Sequence, residues 1–289
     1  MVDIRENVPL APLSTLHVGG PARYLVAASS VGDLCDALSW AEDRSLLFLI
    51  LGGGSNMLIR DEGYPGLIVK MEQRTIEVAE RELLAGAGAA TRLAVITAVR
   101  HGLRGLEHLA GIPGTIGGAV RGNAGSFGSE TKDYLTRVEV LHLTPHGWEE
   151  EVLPKEVLAF GYRDSLFKHD PAYVVCRAVF ALATGGVAEG ERLVQEDLAA
   201  RKQTQPYEFP SVGSVFKNLR PDLPAAKLIE AAGGKGLARG GAEVSTKHAN
   251  FIVNRGGATA AEVLALIADI KQRVFDVAGI TLEEEIVII

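Results

Sequence analysis

Behind Thr259-Ala-Ala-Glu262, apolar residues recur every three or four positions: Val263, Leu266, Ile267, Ile270 and Val274. That period marks one buried stripe of a helix, and the Thr…Glu pair ahead of it is a capping box. Elsewhere the pattern shortens. Leu46–Leu51 is an unbroken apolar run of strand length, and Ala172–Leu182 a longer one. Further strands are expected at Arg23–Ala28, Leu67–Met71, Thr75–Ala79, Glu82–Ala85, Val138–Leu143 and Trp148–Val152. Between them, Ser30 should cap a helix running to about Glu42 with Asp33 at its third position, and Thr91–His101, Lys155–Phe160 and Glu189–Lys202 read as helices. Around Thr184–Gln205 the character changes, through Gly185-Gly186, a charged helix, Pro206 and Pro210. The domain boundary is expected there, between residues 1–204 and 205–289. The second part reads strand (Val212–Lys217), helix (Pro224–Ala232), strand (Asn250–Asn254), the capped helix, and strand (Leu282–Ile289).

Glycine departs most from this alternation. The chain has 33 in 289 residues, and they cluster. The Leu46–Leu51 run enters Gly52-Gly53-Gly54-Ser55-Asn56-Met57, the form of a loop whose backbone amides face an anion. No Gly-Lys-Ser/Thr follows, and no helix opens on Gly-x-Gly-x-x-Gly, so neither a Walker A loop nor a Rossmann site is indicated. Gly111–Gly128 is denser, with seven Gly in 18 residues. Ile112, Ile116, Val120 and Phe127 argue against a flexible linker, and Thr115, Asn123 and Ser126 are the polar groups left to read a ligand. Such an apolar, glycine-rich wall suits a flat cofactor with a diphosphate tail. A third stretch, Pro210-Ser-Val-Gly-Ser-Val-Phe-Lys-Asn218, sets Ser, Lys and Asn beside a short apolar strand. Arg163, in Gly161-Tyr-Arg-Asp164, is either an ion-pair partner of Asp164 or a planar fork for a substrate carboxylate.

Composition narrows the class. With 47% hydrophobic and 22% charged residues the chain is a globular protein, and a net charge of −7 without a run of five like charges disfavours nucleic acid as partner. No apolar stretch reaches bilayer length and the start lacks a signal-peptide core, so a cytoplasmic protein without a membrane partner is expected. Cys35 and Cys176 suggest no disulfide framework. His142 and His146 lack a third ligand nearby, so no metal is expected, and His248 reads as a satisfied structural histidine.

Taken in order, Leu51-Gly-Gly-Gly-Ser-Asn56, Ala110-Gly-Ile-Pro-Gly-Thr-Ile-Gly-Gly118 with Asn123-Ala-Gly125, Tyr162-Arg-Asp-Ser165 and Pro210–Asn218 resemble the UDP-N-acetylenolpyruvoylglucosamine reductase (MurB) family. So do Gly241–Asn254 and Leu282-Glu-Glu-Glu-Ile286. The resemblance implies an α+β fold: a two-part FAD-binding domain of the vanillyl-alcohol-oxidase (PCMH) type over 1–204, with subdomains of about 1–70 and 71–204, and a smaller substrate-binding domain over 205–289. It implies that NADPH reduces FAD, which then reduces the enolpyruvyl ether of the UDP-sugar to UDP-N-acetylmuramate. This is a cytoplasmic step of peptidoglycan synthesis, hence of cell-wall biogenesis, cell shape and division. No obligate protein partner is implied.

By the same resemblance FAD would be held by Gly52, Gly53, Gly54, Ser55, Asn56, Met57, Gly111, Ile112, Pro113, Gly114, Thr115, Gly117, Gly118, Asn123 and Gly125. Arg163 and Glu285 would stabilise the anionic intermediate, Ser214 would deliver the proton, and Tyr162, Lys217 and Asn218 would contact substrate. Glu285 helps near an anion only if it carries or shares a proton. Lys217 is a candidate to stabilise the Ser214 alkoxide, although strand alternation sets the two on opposite faces unless the strand bends. Glu283 shares a strand face with Glu285 and stays a possible alternative. The interval from Arg163 to Ser211 is short for the inserted Tyr loop of longer members, which places the chain with the loop-lacking type. On the two glycine-rich segments alone, another FAD oxidase or dehydrogenase of this fold, acting on a hydroxy acid or alcohol, stays open. So does a nucleotide-sugar binding protein without redox activity.

Overall fold

The computed structural model describes residues 2–220 and 222–289, and the chain folds as two units. The first comprises residues 1–5, Tyr24–Gly53 and Gly66–Arg201; the second comprises Glu6–Arg23, Gly54–Pro65 and Lys202–Ile289.

In the first unit an antiparallel sheet has the strand order Gly147–Pro154, Leu135–Thr144, Tyr173–Ala181, Glu82–Gly86, Ile76–Ala79. Its central strand Tyr173–Ala181 is buried at most positions, as its unbroken apolar sequence predicts. The Phe48–Leu51 strand pairs in parallel with the strand Tyr64–Met71, with Phe48 opposite Leu67 and Leu51 opposite Lys70. Ser30 caps Val31–Glu42 with both capping-box bonds, through Asp33. One apolar cluster reaches from Val26 to Val194, across the subdomain boundary expected near residue 70.

The second unit has a four-stranded sheet in the order Ser211–Ser214, Phe251–Asn254, Ala242–Val244, Ala238–Arg239. The helix Ala260–Ala278 packs on it through Val263, Leu266, Ile267, Ile270 and Val274, all buried. Thr259 and Glu262 form the expected capping box, and Gly279 closes the helix at φ 66°.

The expected boundary assigned all of 1–204 to one domain. In the structure, residues 6–23 and 54–65 pack instead with the C-terminal segment. The bonds that hold them there are specific. Asp61 accepts from the backbone amides of Ala260 (2.8 Å) and Ala261 (2.9 Å), a carboxylate on the positive end of the long helix. Asn254 Nδ2 donates to Leu16 O, and Arg60 N to Ile289 O. Leu16, Val18 and Leu58 join the second apolar core.

Three elements differ from expectation. Ile116–Arg121, inside the glycine-rich wall, is a helix capped by Thr115. The expected helix Lys155–Phe160 is a 3-10 turn over Lys155–Val157, closed by Ala159 at φ 47°. The strand expected over Val212–Lys217 stops at Ser214, after a bulge in which Gly213 takes φ 79°. Among the described residues no helix is long and apolar enough to cross a membrane, and no cluster of three His, Cys, Asp or Glu could hold a metal.

Candidate active site

In the first unit the two glycine-rich segments meet each other. A Cβ on Gly52 would lie 2.5 Å from Thr115 Oγ1, and one on Gly53 2.7 Å from Gly114 Cα. The glycines are therefore required first by the approach of one loop to the other. The same holds at Gly111 against Arg201 Cδ (2.4 Å), Gly117 against Ala87 Cβ (2.8 Å) and Gly125 against Ser129 O (2.5 Å). Gly118 differs: it is exposed, and a Cβ there meets only Thr115 Oγ1, at 3.6 Å. Ile112 packs against the core, while Pro113 faces solvent.

Thr115 Oγ1 accepts from Gly118 N, and the amides of Ile116 and Gly117 go to Ala89 O and Ala87 O. The Gly53 amide donates to no acceptor among the described residues. Behind the loop, the half-buried ammonium of Lys70 donates to Gly52 O. Burial lowers the pKa of Lys70; Glu72 opposes this and Arg74 adds to it. Sequence reading missed Lys70. The signal was a lone lysine among Leu67, Ile68, Val69 and Met71, directly beside the glycine loop.

The Asn123 side chain, expected to read a ligand, is engaged within the protein. It is fully buried, and its amide donates to Glu130 Oε2 (3.0 Å) and Gly161 O (2.9 Å) while accepting from Lys132 N (3.1 Å). Its work is to hold the Gly161–Asp164 turn. Ser126 likewise donates to His108 O, and Ser165 to Arg121 O, so these hydroxyls also join loops. In that turn Arg163 sits at φ 55°, a strained value for a non-glycine residue. Its Nη2 donates to Gly125 O (3.2 Å), and its guanidinium lies 5.3 Å from the ring centre of half-exposed Tyr162. Asp164 binds His169 at 2.8 Å, and that hydrogen bond holds its carboxyl below the usual range.

The second unit gathers the remaining residues. Gly54 takes φ 63°, and a Cβ there would lie 2.1 Å from Leu13 O. Asn56 Nδ2 donates to Glu285 O (3.2 Å), and Asn56 O accepts from Val287 N (2.9 Å). Met57 and Leu58 pair in parallel with Val287 and Ile288. The expected cofactor loop thus fastens, past Gly53, the tail that carries three glutamates.

That tail also runs antiparallel to the Ser214 segment, with Phe216 opposite Glu284. Lys217 N donates to Glu283 O, and Glu285 N to Val215 O (2.7 Å). Asn250 locks the segment from behind through both Phe216 N and Phe216 O. The glutamates separate: Glu283 pairs with Lys217, Glu284 with Lys271 at 2.8 Å, and half-buried Glu285 follows. Two expectations change here. The Lys217 ammonium is on Glu283, not on Ser214, and Asn218 Oδ1 accepts from Ala225 N, capping the helix Ala225–Ala231. His248 is structural: its Nδ1 accepts from Asn250 N, and burial lowers its pKa.

The donor set of the first unit fits a flavin nucleotide. An unmatched backbone amide and, among the described residues, a lysine without a carboxylate within 4.0 Å flank the glycine seam. Comparisons with known proteins agree. Residues 22–147 match the profile of the FAD binding domain, and residues 205–289 that of the UDP-N-acetylenolpyruvoylglucosamine reductase C-terminal domain. The reductase of Carboxydothermus hydrogenoformans is 41% identical over 94% of this chain and 89% of its own. That of Parasynechococcus marenigrum is 42% identical over 98% and 95%. The crystal structure of the Thermus caldophilus reductase (MurB) superposes with a TM-score of 0.83 at 37% identity, covering 100% of this chain and 98% of that one. A solvent-stable cholesterol oxidase, 12% identical, shares the fold over 63% of this chain and 38% of its own at a TM-score of 0.50. By this identity over nearly its whole length, the chain belongs to the UDP-N-acetylenolpyruvoylglucosamine reductase family, with an α+β fold and an FAD-binding part of the vanillyl-alcohol-oxidase type.

Proposed function

We propose that this chain is an NADPH-dependent flavoenzyme that reduces the enolpyruvyl ether of UDP-N-acetylenolpyruvoylglucosamine to UDP-N-acetylmuramate, in the cytoplasm, for peptidoglycan synthesis. The observation that carries the reading is the antiparallel pairing of Phe216 with Glu284, which sets the serine-bearing segment beside the glutamate-bearing tail. FAD, once reduced by NADPH, supplies the hydride. The protein has to manage the charge that then develops on the substrate.

Addition of hydride to the terminal vinyl carbon leaves negative charge on the adjacent carbon and its carboxylate. Arg163, pre-set by its left-handed backbone and its bond to Gly125 O, offers a planar fork for that carboxylate. Ser214 gives its hydroxyl proton to the carbon and becomes an alkoxide, and Glu285 must carry or share a proton to act near that charge. Lys217 can assist Ser214 only when its pair with Glu283 opens. Glu283 is largely exposed, so little holds that pair closed.

An anaerobic absorption experiment tests the reading. The flavin band of the purified protein bleaches on NADPH and returns on adding UDP-N-acetylenolpyruvoylglucosamine. A band that bleaches but does not return would overturn the substrate assignment, and with it the roles of Ser214, Arg163 and Glu285.

A further inference from the structure

Lys70 is an odd residue for its place. It continues an otherwise buried strand run, Leu67, Ile68, Val69, opposite Leu51 in the parallel pair. Its ammonium is half-buried and its acceptor is a carbonyl, Gly52 O; no carboxylate among the described residues lies within 4.0 Å of it. A cation removed from water without a counter-charge costs stability unless an anion arrives. Two charged side chains act on it from the adjoining segment, Glu72 and Arg74, and they pair with each other at 2.9 Å.

The position of the acceptor matters. In a trans peptide the C=O and the following N–H point to opposite sides of the chain. With the Gly52 carbonyl drawn back onto Lys70, the Gly53 amide is turned the other way, and it has no acceptor among the described residues. The plane cannot settle elsewhere easily, because Gly53 already lies against Gly114 and Gly52 against Thr115. A charged donor on the carbonyl also polarises the peptide and strengthens its N–H as a donor.

We infer that Lys70 is a positioning residue for the diphosphate of the bound flavin nucleotide, clamping the Gly52–Gly53 peptide so that the Gly53 N–H faces the anion. This rests on the flavoenzyme reading above and adds to it a residue outside the glycine motifs. Lys70 acts through the peptide and through its charge, so its contribution is confined to ligands that carry the diphosphate.

Titration of the apo-protein with FAD and with riboflavin, which lacks phosphate, separates the effects. In K70M, affinity for FAD falls by about tenfold or more, the loss of one charge-assisted bond, while affinity for riboflavin stays within about twofold. K70R recovers most of the FAD affinity. Equal loss for both ligands would mean general damage to the fold and would overturn the inference, as would unchanged FAD affinity. If the parent protein bound neither ligand, the flavoenzyme reading would fall first and the inference with it. Should K70M not fold, the parent's pH profile decides. Burial lowers the Lys70 pKa, so the preference for FAD over riboflavin declines through the alkaline range, at lower pH than an exposed lysine would lose its proton. A preference independent of pH over that range would also overturn the inference.

Discussion

The glycine seam of the first unit and the serine–glutamate edge of the second meet their chemical demands by different means. At the seam the groups left to face a ligand belong to the backbone: the Gly53 amide, turned outward by a lysine behind it. The polar side chains around it, Asn123, Ser126 and Ser165, are taken up in joining loops. At the edge the fastening is the backbone of Val215 and Phe216 with the Asn250 side chain, and the proposed chemistry falls to side chains. A site built from backbone depends on the absence of Cβ atoms, and one built from side chains depends on a few named groups. Substitutions should therefore fail differently in the two regions.

The largest effect is expected at the edge. Ser214→Ala and Glu285→Gln each lower substrate-driven flavin reoxidation by about 10²–10⁴-fold, the usual contribution of a general acid. Reduction by NADPH and the melting temperature stay close to the parent. Stopped-flow absorption of the two half-reactions checks this, and equal slowing of both would contradict the division.

At the seam, Gly53→Ala places a methyl 2.7 Å from Gly114 Cα. The resulting overpacking should cost about 1–3 kcal/mol of stability and weaken FAD retention together. Gly118→Ala is the control within the same motif. Its methyl has room, and alanine replaces glycine inside a helix, so the protein should gain up to about 1 kcal/mol. Thermal melts with and without FAD read both. A Gly118→Ala protein that is as stable as expected without FAD but loses the stabilisation FAD gives the parent would show that its glycine serves the ligand and not the packing.

The two regions were also unequally legible. The strand and helix periods, both capping boxes and the stripe Val263–Val274 followed from local pattern, because each is decided by residues two to four apart. The glycine clusters marked where backbone comes close, but sequence cannot say to what. Here Gly52 and Gly53 meet the other cluster while Gly54, Gly111, Gly117 and Gly125 meet Leu13, Arg201, Ala87 and Ser129, and Thr115 begins a helix there that seven glycines concealed. Asn123 looked like a ligand residue because its three partners, Glu130, Lys132 and Gly161, are united only by the fold. The attachment of residues 54–65 to the C-terminal unit was hidden for the same reason. Asp61 caps a helix 199 positions away.

The three adjacent glutamates give the sharpest and smallest test. Resemblance favoured Glu285, with Glu283 as the alternative on strand alternation. In the structure Glu283 is mostly exposed and pairs with Lys217, and Glu284 pairs with Lys271 on the long helix. The first is a surface pair and the second is partly buried, so Glu283→Gln should change stability by no more than about 1 kcal/mol and Glu284→Gln by somewhat more. Neither should slow the proton-transfer half-reaction as Glu285→Gln does. Glu283→Gln frees the Lys217 ammonium, so its one functional signature is a modest gain in reoxidation rate if Lys217 then reaches the Ser214 alkoxide. A Glu283→Gln protein that loses turnover to the extent of Glu285→Gln would move the catalytic carboxyl two residues along the tail, onto the residue strand alternation also allowed.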